Sequence, residues 1–160
     1  KQQTIQMKHL LVIAALFVST MGFAQSSQEE VDLLQSLYGM QKKDIVADFI
    51  KLEGPQKDAF WEIYDAYELE RKVLGQRRVN LLSTYAEFYS SLNDDATDIL
   101  IKEMNDITIT NDKLIAKYYG KLKKKAGVKA AAQFVQIESY LLSDMRATVL
   151  EEIPFIGELD

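Results

Sequence analysis

The chain has 160 residues, with one histidine, no cysteine, two prolines and a net charge of −5 at pH 7. Because the single histidine is His9, Ser-His catalytic triads, Glu-x-x-His di-iron sites, histidine-ligated haem and histidine zinc sites are excluded downstream of that residue. The absence of cysteine excludes disulfides, so the fold has to be stabilised by packing.

The N-terminal segment at residues 7–24 has the pattern of a secretory signal peptide. Lys8 supplies the positive charge, an unbroken apolar run covers residues 10–18, and Gly22 and Ala24 are the small residues of a cleavage site. The apolar run is shorter than the roughly 20 residues that span a bilayer, so we expect no integral membrane anchor. The pattern predicts that the mature chain is exported.

The remainder, residues 25–160, has the size of a single domain. We interpret residues 1–6 as an expression remnant or an over-extended start. Taking Lys1 and Lys8 from the 19 basic residues leaves 17 against all 24 acidic ones, a net charge of −7. Since Lys and Arg contacts to phosphate supply most of the affinity for nucleic acid, we expect no nucleic-acid partner.

Two helices are predicted in the first half of this domain. Ser27 and Glu30 have capping-box spacing, so a first helix begins there and ends at Gly54-Pro55. A second, long helix runs from Pro55 to about Ser91, because its apolar residues repeat at near-heptad steps. The predicted seam of this helix consists of Phe60, Tyr64, Tyr67, Leu74, Leu81, Tyr85, Phe88 and Leu92.

Two more helices are predicted in the second half. In the segment Asn93-Asp94-Asp95, either the Asn or an Asp is placed to cap a third helix that reaches about Lys125, where Gly127 is a C-terminal glycine. A fourth helix runs from about Val128 until Pro154 stops it. No stretch alternates with a period of two, so the prediction is an all-α, elongated four-helix antiparallel hairpin arrangement without a β-sheet.

Each long central helix is preceded by a similar pentapeptide. The two read LEGPQ at 52–56 and LNDDA at 92–96. Both resemble the L-T-x-x-Q motif of the Spy/CpxP family of periplasmic proteins, and Leu52, Gln56 and Leu92 match that motif. The segment 60–67, followed by Arg71, is also similar to the helix after the first motif in Spy-like proteins of the Bacteroidetes type.

The resemblance implies a thin, curved all-α homodimer that holds unfolded envelope proteins on a concave surface without ATP. The family also includes stress-signalling accessories that damp an inner-membrane sensor. The partners implied are therefore unfolded or misfolded envelope proteins, or a membrane sensor domain.

Carboxylates offer the remaining route to a metal site. Asp94, Asp95 and Asp98 form the densest cluster, but they lack the spacing of a calcium loop, and helix capping explains them more simply; a hard cation is the alternative. No phosphate loop, nucleophile elbow or dinucleotide fingerprint occurs. We expect no catalytic residue, no metal and no cofactor.

Arg71 and Arg78 are the least expected polar residues, since each occupies a position in the apolar seam. A buried arginine without a partner is strongly destabilising. Glu138, in or beside the apolar row of the fourth helix, is the predicted partner. The hypothesis is a structural ion pair that sets the register of the helices, and an anion site is the alternative.

Several apolar residues lie off the predicted seams, so the helices present a second apolar face. Such a face is either a dimer interface or a binding surface for clients or partners. The leading prediction is an ATP-independent periplasmic chaperone or envelope stress-response protein; a regulatory or structural module that docks a sensor is the alternative. We expect Phe155 or Ile156 to pack against the bundle. The candidate binding residues are Trp61, Leu69, Val73, Val79, Tyr89, Ile101, Ile109 and Tyr119.

Overall fold

The computed structural model describes the backbone of residues 28–158 and the side chains of residues 39–158. Over this part of the chain the fold is all-α and no strand is present, which confirms the predicted fold class. The predicted signal peptide and the predicted capping residue Ser27 lie outside the described residues. The helices are α1 Gln28–Phe49, α2 Gly54–Phe88, α3 Asp94–Lys125 and α4 Val128–Glu152, with a short 3-10 turn at Tyr89–Ser91.

The helix boundaries follow local chemistry. Pro55 occupies the first turn of α2, where its missing N–H leaves no hydrogen bond unmade. The Asn93 side chain accepts a hydrogen bond of 2.9 Å from the backbone N–H of Ala96 and so caps α3, as predicted. Gly127 separates α3 from α4 with a φ of 94°, a conformation that favours glycine.

The helices form two antiparallel hairpins that share α3. As positions on α2 rise from Tyr67 to Arg77, their partners on α3 fall from Tyr118 to Glu103, which fixes the antiparallel direction. α4 returns along α3 after the short connection at Ala126 and Gly127. α1 packs along α2 and α4, with fewer close approaches than the two hairpins have.

The hydrophobic core occupies only one half of this bundle, which we call the packed half and define as residues 39–74 and 107–141. The rest, residues 75–106 and 142–158, is the open half. Every member of the main core cluster lies in the packed half. Among the described residues of the open half, Leu100 alone is buried.

The predicted seam of α2 is therefore correct over its first part and wrong over its second. The four positions from Phe60 to Leu74 are buried. Leu81, Tyr85 and Leu92 are only half-buried, and Phe88 is 48% exposed. Periodicity shows which side of a helix is apolar, but burial also requires side chains from facing helices, and α3 contributes only Leu100 as a buried residue there.

Aromatic rings fill the centre of the packed half. Tyr67 contacts Phe134 edge-on with ring centroids 5.0 Å apart, and it contacts Tyr118 at 5.4 Å. Tyr64 also meets Phe134 edge-on, at 6.3 Å. Such pairs contribute about 0.5–1.5 kcal/mol each beyond the burial of their apolar area, so they join α2 to both α3 and α4.

Candidate functional site

A buried cluster of ionic and tyrosine side chains connects α1, α2 and α4. Its centre is Glu138 on α4, which is 3% exposed. The Glu138 carboxylate accepts hydrogen bonds from Lys42 Nζ at 2.6 Å, from the Tyr67 hydroxyl at 2.6 Å and from the Tyr64 hydroxyl at 3.2 Å. Three donors therefore surround this buried carboxylate. Their hydrogen bonds offset the free-energy cost of removing its charge from water.

A second carboxylate extends this cluster toward α2. Glu68 accepts a hydrogen bond from Lys42 Nζ at 2.6 Å and from Arg71 Nε at 2.9 Å and 3.0 Å to its two oxygens. Lys42 is also 3% exposed and bridges the carboxylates of Glu68 and Glu138. We call Lys42, Tyr64, Tyr67, Glu68, Arg71 and Glu138 the ion cluster; its two carboxylates and two cations balance in charge.

Glu138, the predicted partner of the arginines, contacts Lys42, and Arg71 contacts Glu68 in the same cluster. The pairing of Arg71 or Arg78 with Glu138 itself stays a prediction. Arg78 lies half-buried on α2, two turns beyond Arg71. Sequence reasoning missed Lys42, because the apolar row predicted for the first helix did not include the side of that helix that is buried at Val46 and Ile50.

The hydroxyls of the ion cluster remain protonated. Burial, reinforced by the negative charge of Glu138, raises the pKa of both Tyr64 and Tyr67 far above the usual value for tyrosine. Each hydroxyl therefore acts as a donor. Because Lys42 and Glu138 are buried and join α1 to α4, the geometry of the cluster suits holding α1 against the bundle.

A smaller polar group lies at the edge of the α2–α3 contact. Glu70 accepts hydrogen bonds from Lys117 Nζ at 2.6 Å and from the Tyr118 hydroxyl at 2.8 Å. These two bonds, the Lys117 bond foremost, lower the pKa of the Glu70 carboxyl. Burial and the Glu70 bond raise the pKa of Tyr118 to about 12. Further along the same contact, Arg77 donates to Glu103 at 2.9 Å and to Asp106 at 2.8 Å.

Exposed apolar side chains gather at the far end of the open half. This surface, which we call the apolar end, is formed by the last turns of α2, the first turns of α3 and the C-terminal segment. Its members are between 38% and 66% exposed. They are Phe88, Ile99, Ile101, Met104, Leu150, Phe155 and Ile156.

The C-terminal segment is held at the apolar end by its backbone. The Tyr85 hydroxyl donates to the carbonyl of Pro154 at 2.8 Å, and the Tyr89 hydroxyl donates to the carbonyl of Phe155 at 2.8 Å. The expectation that Phe155 or Ile156 packs against the bundle was wrong, because their side chains are 64% and 49% exposed. The tyrosine hydroxyls bind the backbone carbonyls, which leaves these side chains on the outside.

A second apolar surface lies on the packed half, in the groove between α3 and α4. This α3/α4 groove has a volume of about 590 Å³. Polar side chains at its edge come from both helices. Its apolar lining consists of Ile115, Ala116, Tyr119, Ala132 and Val135.

The predicted binding residues do not form one surface. Trp61 packs edge-on against Phe60 at 5.1 Å and belongs to the packed half, whereas Tyr119 lines the α3/α4 groove. Leu69 and Val73 are exposed on α2, away from its buried side.

The other predicted binding residues lie further along the bundle. Ile101 is part of the apolar end, Tyr89 holds the C-terminal segment there, and Ile109 is exposed on α3. Val79 is half-buried on α2. Sequence reasoning missed Phe88 and Met104 as exposed residues because their spacing placed them in predicted cores.

Comparisons with other proteins add no relative: no protein-family model, curated protein or solved structure matches this chain. Family membership therefore stays a prediction that rests on the quoted motif residues.

None of the helices between residues 28 and 158 combines the length and the apolar character needed to cross a membrane. Within the same residues, no group of three or more acidic, histidine or cysteine side chains is arranged to hold a metal ion.

Proposed function

We propose that the protein is an ATP-independent chaperone or envelope stress-response protein of Spy/CpxP-like type, which binds unfolded or misfolded proteins in the periplasm. The observation that supports this function is the apolar end, where several large apolar side chains stay exposed at the same end of the bundle. Burying such side chains is favourable by about 25 cal/mol per Å², so non-native segments gain free energy by covering them. Binding of this kind needs no catalytic residue and no cofactor.

Suppression of client aggregation tests this proposal. The purified chain is added in near-stoichiometric amounts to several unrelated proteins that aggregate on unfolding, and light scattering is recorded. We expect the wild-type chain to suppress aggregation of most clients without ATP. Failure with all of them would exclude the chaperone function.

A pair of matched variants locates the binding surface. Ile99→Ser combined with Phe155→Ser removes two exposed apolar residues from the apolar end. Leu69→Ser combined with Val73→Ser removes two residues of comparable exposure from the outer side of α2. We expect the first variant to lose most of the suppression and the second to keep it. The reverse result would move the binding surface to α2.

A second candidate function, docking of one defined partner such as a membrane sensor domain, is favoured by the α3/α4 groove. A groove between two antiparallel helices is suited to one apolar helix. Ala116→Glu places a charge in this groove and should abolish capture of a single dominant partner while leaving chaperone activity intact.

Homodimer formation is the remaining expectation. Light scattering after size-exclusion chromatography measures the molar mass and so tests it.

A further inference from the structure

The apolar end is strongly acidic. Residues 86–102 and 147–158 contain a single basic residue, Lys102, which is already paired with Asp98. The carboxylates in these two stretches are all exposed to solvent. They are Glu87, Asp94, Asp95, Asp98, Glu151, Glu152 and Glu158.

The opposite end of the bundle has the reverse charge. It consists of the α1–α2 connection and the α3–α4 connection, at residues 48–58 and 119–130. Its acidic residues are Asp48, Glu53 and Asp58. Its basic residues are Lys51, Lys57, Lys121, Lys123, Lys124, Lys125 and Lys129. The excess of negative charge is therefore located at the apolar end, whereas the exposed Phe49 and Val128 at the opposite end lie among lysines.

We propose that the apolar end selects amphipathic polypeptide segments in which apolar residues are interspersed with Lys and Arg. This inference rests on the proposed function and names the class of client segment. The apolar residues of such a segment would cover Phe88, Ile99 and Phe155, while its basic residues would face the surrounding carboxylates. Complementary charge raises the association rate and disfavours acidic segments.

Two other occupants fit the apolar end less well. Anionic lipid surfaces attract basic segments and repel carboxylates, so the charge of this end disfavours a membrane. A second copy that met this end with its own basic end would form a head-to-tail arrangement. Such a contact leaves complementary ends free and propagates into open filaments. A basic amphipathic segment would pair with the carboxylates and cover the exposed apolar side chains, and its binding would not propagate into filaments.

The surface is also held in place before any client arrives. The Tyr85 and Tyr89 hydroxyls fix the backbone at Pro154 and Phe155, and the Phe155 N–H donates to the Glu158 carboxylate at 2.7 Å. A preorganised surface loses less conformational entropy on binding. Phe155 and Glu158 therefore present an apolar ring and a carboxylate from one short turn.

Three labelled peptides test the selectivity by fluorescence anisotropy. The first is an amphipathic Leu/Lys peptide, the second has Glu in place of every Lys, and the third has Ser in place of every Leu. We expect the first to bind at least about tenfold more tightly than either of the others. Binding should weaken when the salt is raised from about 0.1 M to about 1 M, where the Debye length falls from about 10 Å to about 3 Å. Equal binding of the Leu/Glu peptide would overturn the proposal.

Charge-matched variants test the location. Asp95→Asn, Glu151→Gln and Glu152→Gln together remove negative charge from the apolar end. A control variant removes the same charge from the opposite end through Asp48→Asn, Glu53→Gln and Asp58→Asn. We expect affinity for the Leu/Lys peptide to fall about tenfold in the first variant and to stay within about twofold in the control, because distant charges are screened. Equal losses in both would overturn the location.

The results separate this inference from the proposed function. If the chain suppresses aggregation but binds the Leu/Lys and Leu/Glu peptides equally, the function stands and the selectivity is wrong. If it binds the Leu/Lys peptide selectively but suppresses no aggregation, the chaperone function is wrong and the selectivity stands. A molar mass that rises with protein concentration while peptide binding falls would mean that a second copy covers the surface, which also overturns the proposal.

Discussion

The packed half and the open half are built from the same helices, yet only one of them forms a core. In the packed half, Tyr67 on α2 contacts Tyr118 on α3 and Phe134 on α4. In the open half, Phe88 continues the same apolar side of α2 but remains 48% exposed. The difference shows that an apolar seam becomes a core only where other helices supply large side chains opposite it. The helices thus combine a half with a buried core and a half in which the apolar side of α2 stays partly exposed.

The most direct test of this difference is to truncate one phenylalanine in each half, and it should give the largest effect. Phe134 is fully buried among Tyr64 and Tyr67, so Phe134→Ala should cost about 3–5 kcal/mol of unfolding free energy through lost burial and a cavity. Phe88→Ala, its matched control, should cost no more than about 1 kcal/mol because the ring is half in water. Urea unfolding measures both. Equal losses would mean that the open half carries its own core.

Removing the lysine of the ion cluster should have the next largest effect. Lys42→Met removes the cation that contacts the buried Glu138 at 2.6 Å and should cost about 3 kcal/mol or more in urea unfolding. Lys43→Met is the control, since Lys43 pairs with Asp65 at the surface and should change the free energy by less than about 1 kcal/mol.

The same variant allows a rescue experiment. Adding Glu138→Gln to Lys42→Met removes the uncompensated charge and should recover part of the loss, because the amide oxygen still accepts from the Tyr67 hydroxyl. If Lys42→Met were as stable as the wild type, the ion cluster would not hold α1 against the packed half.

High pH should weaken the packed half through its tyrosines. The pKa of Tyr118 is raised to about 12 in the folded state, while an unfolded tyrosine titrates near about 10. The protonated hydroxyl therefore contributes its full stability below about pH 10, and that contribution is lost as the pH rises through about 12. The raised pKa of Tyr64 and Tyr67 acts in the same direction.

Phenolate absorbance during an alkaline titration tests this expectation. Part of the absorbance change should coincide with cooperative unfolding measured by circular dichroism. Tyr118→Phe should make stability fall less steeply between about pH 10 and pH 12. A titration in which all tyrosines ionise near about pH 10 while the helices remain intact would contradict the burial of these hydroxyls.

The smallest expected loss of stability comes from the N-terminus of α3, which lies at the apolar end. Asn93→Ala removes the hydrogen bond to the Ala96 N–H and should cost about 1 kcal/mol. Glu53 occupies the same position before α2 without a capping hydrogen bond, so Glu53→Ala should change stability by less than about 0.5 kcal/mol. Thermal unfolding compares the two. A larger loss for Glu53→Ala would show that the capping hydrogen bond does not determine which of the two helix starts is the more sensitive to substitution.

Local signals made the helix boundaries predictable. Pro55, Asn93 and Gly127 act on their immediate neighbours, and the structure has helix boundaries beside each of them. The first part of the α2 seam was predictable for a similar reason, since its spacing places Tyr64 and Tyr67 on one side of a helix. Periodicity could not show that Phe88 stays exposed, because that depends on which side chains face it from α3 and α4.

The sequence by itself determined that the chain is helical, that helix boundaries lie beside Pro55, Asn93 and Gly127, and that histidine and cysteine chemistry is absent downstream of His9. It did not determine the end of α1, which is at Phe49 and not at the predicted Gly54-Pro55. Only the tertiary structure decided that Lys42 meets Glu138, a residue 96 positions away, and that apolar and acidic side chains share one end of the bundle. Caps and periodicity act within a few residues. Contacts between helices depend on how distant segments pack, and a buried charge takes whichever partner that packing brings within reach.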